Sequence, residues 1–162
     1  AIHAASEILQ RLNNYEPRRV LIDGLEYREG LQAVGIRGGV AGNVVPDEAV
    51  VVVNYRFAPS RSAAEAEAHL REVFDGYELA VIDVAEGALP GLDQPAAREF
   101  VNAVGVTPMP KFGWTDVARF SGLGIPAVNF GPANAIYAHA PNEFVPVDQI
   151  RSVEQALRVW LS

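Results

Sequence analysis

Two periods of apolar residues alternate along this chain, and the switches between them mark out its elements. Ile2, Ala5, Leu9 and Leu12 recur at helical spacing with Ser6, Glu7, Gln10 and Arg11 on the other side, which predicts a helix over 1–12. Val20–Ile22 and then Leu31, Ala33 and Gly35, with Val34 and Ile36 on the opposite face, predict extended segments separated by the region 24–30. Gly38-Gly39, Gly42-Asn43 and Pro46-Asp47 form a turn-rich connection into Ala49–Phe57. That segment is β-branched and apolar on both faces, which predicts a well-buried strand ended by Pro59-Ser60. Ser62-Ala63-Ala64-Glu65 has capping-box spacing, in which hydroxyl and carboxylate satisfy each other's free amides. The helix it opens carries Ala63, Ala66, Leu70, Val73 and Phe74 on one face and ends near Gly76, and Tyr77–Val84 predicts a further strand.

The order helix, strand, strand, helix, strand is the split βαβ plan, βαββαβ, without its first strand, and such a sheet exposes an unpaired row of backbone groups. The expectation is that the chain begins mid-domain and self-associates through the open edge; a complete small α+β unit of another topology is the alternative. Glu86–Gly91 is a composition break suited to a linker, so we expect domains at 1–85 and 86–162. Asp93 is expected to cap a helix over 94–104 with Pro95 in its first turn. Short strands near 109–112 and 127–130, a short helix near 116–122 and a long loop through Pro141 follow. The helix 147–161 presents Ile150, Val153, Leu157, Trp160 and Leu161 on one face. Alternating strands and helices predict a piece of a three-layer α/β domain.

Composition narrows the chemistry. With 162 residues, the chain can bury a core without staples, and having no Cys it has neither disulfides nor thiolates for catalysis, zinc or iron–sulfur ligation. The 13 Lys and Arg against 20 Asp and Glu, a net charge of -7, argue against nonspecific binding to nucleic acid or an anionic membrane. No apolar run approaches the roughly 20 residues needed to span a bilayer. The first residues carry neither a basic start nor an apolar signal core, which leads us to expect a cytoplasmic protein.

Three histidines remain as candidate metal ligands or bases. His3 and His69 lie on predicted helices and read as surface or boundary residues. His139 instead lies in the loop 131–143 leaving a predicted buried strand, where ligands of open α/β sheets collect. A neutral imidazole there can bind zinc, with Glu143 four residues on as nearby polar support, or it is simply a loop residue near a helix entry. Asp116 in Gly113-Trp114-Thr115-Asp116 either contributes to a site or caps the helix that follows. Arg56 and Arg119 can each grip a carboxylate two-pronged, or form surface ion pairs.

Five motifs then occur in one order: Gly39-Val40-Ala41-Gly42-Asn43-Val44-Val45-Pro46-Asp47, Asn54-Tyr55-Arg56-Phe57-Ala58-Pro59, Gly113-Trp114-Thr115-Asp116-Val117-Ala118-Arg119-Phe120, Gly124-Ile125-Pro126-Ala127-Val128-Asn129-Phe130-Gly131-Pro132 and His139-Ala140-Pro141-Asn142-Glu143. Together they resemble the succinyl-diaminopimelate desuccinylases of the dinuclear zinc peptidase and deacylase family, in their actinobacterial form. Acetylornithine deacetylases and related carboxypeptidases share the plan. The resemblance implies a zinc-binding α/β catalytic domain interrupted by a ferredoxin-like βαββαβ lid that also forms a homodimer, with 1–85 in the lid and 86–162 in the last part of the catalytic domain. It implies two zinc ions, with cobalt as a substitute, and a small anionic N-acyl amino-acid substrate.

By the same resemblance His139 matches the C-terminal zinc ligand, Asn43 an Asn that reaches the active site in part across the dimer, and Arg56 an Arg used for a substrate carboxylate. Asp116 and Arg119 match a substrate loop of the type Gly-x-Ser/Thr-Asp-x-x-Arg, although Trp114 stands where many relatives have a smaller polar residue. Asn134 falls in a loop where relatives contact substrate. The family's His-x-Asp ligands, bridging Asp, Glu-Glu pair and carbonyl-polarising lid His would all precede residue 1, so the chain by itself is expected to be inactive. The rival of another class is a noncatalytic dimerisation or regulatory module, which predicts no metal dependence.

Overall fold

The computed structural model describes residues 1–162. Its helices stand where the apolar periodicity puts them. A 3₁₀ turn Ile2–Ala4 leads into α1 (Ala5–Asn13), and α2 runs from Ala63 to Val73. Ser62 and Glu65 form the full capping box, the Ser62 hydroxyl accepting from the Glu65 amide and the Glu65 carboxylate accepting from the Ser62 amide. Further on come α3 (Pro95–Val104), α4 (Val117–Gly122), a 3₁₀ turn Ala135–Tyr137 and α5 (Val147–Leu161). Pro95 opens α3, but the residue capping it is Gln94 rather than Asp93, and no side chain bonds to the freed amides. Gly105 closes α3 in the left-handed conformation at φ 64°, which glycine adopts without the clash a Cβ would bring.

Four strands form two antiparallel hairpins. β1 (Arg19–Ile22) pairs with β2 (Leu25–Arg28), and β3 (Gly30–Gly38) pairs with β4 (Ala49–Arg56). β2 lies inside the region that sequence reading leaves as a separator. The turn Asp23-Gly24, with φ of 50° and 79°, is the two-residue hairpin that such a pair favours. In the β3–β4 ladder the register slips between Ala33 and Gly35, so Val34 is the extra residue of a bulge. Beyond it Gly35 opposes Val52 and Ile36 opposes Val51.

Three predicted strands are absent. Residues 77–84, 109–112 and 127–130 pair with nothing, and 77–84 leaves Ile82 84% exposed beside exposed Val81 and Val84. A strand is defined by the ladder it joins, and these segments have no neighbouring strand to exchange hydrogen bonds with. The observed fold is thus a mixed α/β chain with two small sheets.

The chain divides into two compact units. The first comprises Ala1–Leu89 with Pro110–Trp114, and the second Pro90–Met109 with Thr115–Ser162. In the first, Ala5, Leu31, Ala58, Ala66 and Phe74 are buried, and Tyr27 meets Phe112 edge-on at 6.4 Å. The second holds all of α3, α4 and α5. Phe100 of α3 is its anchor, meeting Phe130 at 5.2 Å and Trp160 of α5 at 5.0 Å, both nearly perpendicular, the arrangement that ring quadrupoles favour.

Candidate functional site

In the first unit, Asn43 and Arg56 sit at opposite ends of the β3–β4 hairpin. Asn43 is exposed in the turn joining the strands, while Arg56 ends β4 opposite Gly30, exposed and without an ion pair. With a strand rise of about 3.4 Å per residue, the length of β4 alone, roughly 24 Å, lies between them. They do not meet within one chain.

In the second unit, Asp116 precedes α4 and its carboxylate lies 3.5 Å from the Arg119 guanidinium, both side chains 76% exposed. The Asp116 side chain makes no cap bond to α4. Asn134 does act as a cap, its side-chain oxygen accepting from the Ile136 amide at 3.0 Å. His139 is exposed at φ 65°, a left-handed backbone rarely adopted by a residue with a Cβ. Its amide donates to the Glu143 carboxylate at 2.9 Å. Glu143 therefore supports the His139 backbone and not its ring, leaving the imidazole free to face a ligand.

No three His, Asp or Glu side chains of these residues gather where a metal ion could be held. One histidine and a carboxylate already engaged by a backbone amide do not make a two-metal centre, which needs several ligands and a bridging water. The chain offers one candidate ligand, His139.

The most heavily bonded polar group is one that sequence reading passed over. Glu29, between β2 and β3, is buried, and its carboxylate accepts from Arg18 Nη2 at 2.9 Å and Nε at 3.2 Å, from the Tyr55 hydroxyl at 2.8 Å and from the Ala58 amide at 3.1 Å. Arg61 stands 3.7 Å away and donates to the Tyr55 hydroxyl at 2.9 Å. Burial alone would push the Glu29 carboxyl up, but the Ala58 amide, Arg18, Tyr55 and Arg61 together outweigh it and hold the group below its ordinary range. Burial, and then the neighbouring Glu29 carboxylate, push the Tyr55 phenol far up, so it remains a donor. His69, the predicted boundary residue, bonds through Nε2 to the Tyr15 hydroxyl at 2.9 Å and its ring lies 5.6 Å from Tyr55. No spacing rule could have found Glu29, because an isolated Glu is almost always exposed.

Residues 1–79 match the peptidase dimerisation domain. Over 99% of the chain a Mycobacterium tuberculosis protein bearing the name succinyl-diaminopimelate desuccinylase is 53% identical, and over 100% of it the Corynebacterium glutamicum succinyl-diaminopimelate desuccinylase is 47% identical. Over nearly its whole length the chain is similar to M20 family desuccinylases, and its first 79 residues match that family's dimerisation domain. Acetylornithine deacetylase of Myxococcus xanthus is a more distant M20 relative, 29% identical over 97% of the chain. The chain spans about half the length of the curated relatives it matches, 46% of the first two and 45% of the third. M20 family enzymes are metal-dependent, typically with zinc.

Proposed function

We propose that these residues serve a zinc-dependent amide hydrolase that converts N-succinyl-LL-diaminopimelate to succinate and LL-diaminopimelate, in the cytoplasm, for lysine and cell-wall synthesis. The observation that carries the reading is the identity of 47–53% to relatives bearing that name, spread over essentially the whole chain with all five motifs in order. On this reading residues 1–85 are a ferredoxin-like lid and 86–162 the last segment of the catalytic domain. The split into units near Leu89 is in keeping with it. The segment 77–84 then takes strand form when a first strand lies beside it.

The protein works as a homodimer through the lid. The separation of Asn43 from Arg56 supports this, since Asn43 is free to reach the active site of a second copy while Arg56 serves its own. Arg56 and Arg119 hold substrate carboxylates, the guanidinium fork matching two carboxylate oxygens. Asp116 orients Arg119 across the 3.5 Å gap, and Asn134 shapes the loop that contacts substrate. His139, its backbone fixed by Glu143, supplies one ligand to a zinc centre, with cobalt as a substitute. The hydrolytic step belongs to groups outside these residues, so the 162-residue chain alone has no amidase activity.

The test is to express the full reading frame and compare hydrolysis of N-succinyl-LL-diaminopimelate with that of N-acetylornithine, before and after chelation. Preference for the succinyl substrate, abolished by chelator and restored by zinc, is the expected result. Preference for N-acetylornithine would favour the reading suggested by the Myxococcus relative, and chelator-insensitive or absent hydrolysis would leave a dimerisation module.

A further inference from the structure

Arg56 has no partner of its own, yet the backbone on either side of it is tied to a single buried group. One residue before it, the Tyr55 hydroxyl donates to Glu29 Oε2 at 2.8 Å, and two residues after it the Ala58 amide donates to Glu29 Oε1 at 3.1 Å. Glu29 is itself held in place, by Arg18 at 2.9 Å and by its own amide donating to the Arg18 carbonyl at 2.9 Å. Successive side chains of a strand point to opposite faces, so pinning Tyr55 on one face directs Arg56 to the other. The Ala58 bond stops the chain from rotating just beyond the end of the ladder, where β4 has no further partner. We infer that Glu29 is a positioning residue for Arg56, clamping the end of β4 so that the guanidinium is presented in one orientation to an anionic ligand.

The inference deepens the proposed function and rests on Arg56 as the carboxylate-binding group. The arrangement is economical in what it asks of the carboxylate. Each Glu29 oxygen meets one side of Arg56, and the Arg61 bond to the Tyr55 oxygen at 2.9 Å keeps that hydroxyl's proton turned toward Glu29. Glu29→Gln replaces one acceptor oxygen by a donor NH₂ of nearly the same size, so it sets a donor against either the Tyr55 hydroxyl or the Ala58 amide. Arg56 itself is untouched.

The experiment is a double-mutant cycle in the protein expressed from its full reading frame, with N-succinyl-LL-diaminopimelate as substrate. Arg56→Ala is expected to lower kcat/KM about 100-fold, the cost of removing one partner of a charge-assisted pair. Glu29→Gln is expected to raise KM about tenfold with kcat within about twofold of wild type, as a misplaced binding group does. In the Arg56→Ala background, Glu29→Gln is expected to change kcat/KM by less than about twofold, because the group it orients is gone. Glu29→Asp, which keeps the acceptors but shortens their reach, falls between. If the two losses multiply, or if Glu29→Gln lowers kcat rather than raising KM, Glu29 does not act through Arg56 and the inference is overturned while the substrate role of Arg56 stands. If Arg56→Ala leaves kcat/KM unchanged, the substrate role fails and the inference with it. Should Glu29→Gln not fold, Tyr55→Phe removes one of the two ties and is run through the same cycle with the same criteria.

Discussion

The two units use similar apolar stretches to different ends. In the first unit, the apolar stretches 30–38 and 49–56 lie beside each other and close a ladder of eight residue pairs with one bulge. In the second, the equally apolar 127–130 remains extended and unpaired, and the order comes from helices and from the Phe100 ring cluster. The polar groups differ in the same sense. The first unit buries a carboxylate among two guanidiniums, a phenol and an amide, whereas the ion pairs of the second, Asp116 with Arg119 and Glu154 with Arg158, are solvated. Strand character is a property of neighbours, and buried charge is a property of a closed bonding shell. Where either is missing, the stretch stays unpaired and the charges stay solvated.

Substitutions separate the units sharply. Glu29→Ala should destabilise the first unit by about 3–5 kcal/mol, because it strands Arg18 and Arg61 beside an emptied buried site. Faster amide hydrogen exchange over 1–89, with 115–162 unchanged, is the expected signature; uniform protection in the variant would show that the network contributes nothing. Phe100→Ala should cost the second unit about 3 kcal/mol through the lost contacts with Phe130 and Trp160, read as a lowered urea midpoint for that unit alone.

The pH dependence should follow the first unit. The folded Glu29 carboxyl sits below its ordinary value of 4.5, so its stabilisation is complete above that value and is lost as pH falls through the lower folded value. The difference in unfolding free energy between wild type and Glu29→Gln should therefore shrink on going from about pH 7 to about pH 3, and a constant difference would contradict the account. A smaller contribution comes from the cap. Ser62→Ala should cost about 1 kcal/mol by freeing the Glu65 amide, measured as a drop in Tm. Smallest is Arg119→Ala, whose pair with Asp116 is solvated and whose loss should change stability by less than about 0.5 kcal/mol even though it removes a proposed substrate contact.

Much of this is legible in the sequence itself. The face carrying Ile150, Val153, Leu157, Trp160 and Leu161 predicts α5 at its observed limits, and the Ser62/Glu65 spacing predicts a cap that forms in full. Helices satisfy their own backbone, so local pattern suffices. The apolar stretch 77–84 predicts a strand that does not form, for the opposite reason, since a strand's hydrogen bonds depend on residues far away in sequence. The Asp23-Gly24 turn that creates β1 and β2 carries its signal in only two residues. For the candidate site, Asn43, Asp116, Asn134 and His139 stand in turns and loops and Arg56 at the end of a strand. Glu29 could not be found that way, because its burial depends on Arg18 and on Tyr55, Ala58 and Arg61 arriving from two stretches distant in sequence.

The central claim is that His139 contributes to a metal centre completed by residues outside this stretch. Metal content of the protein from its full reading frame, by mass spectrometry after extensive dialysis, tests it most directly. Wild type should retain about two zinc ions per chain and His139→Ala at most about one, with the isolated 162-residue chain retaining none. Equal zinc content in wild type and His139→Ala would contradict the account.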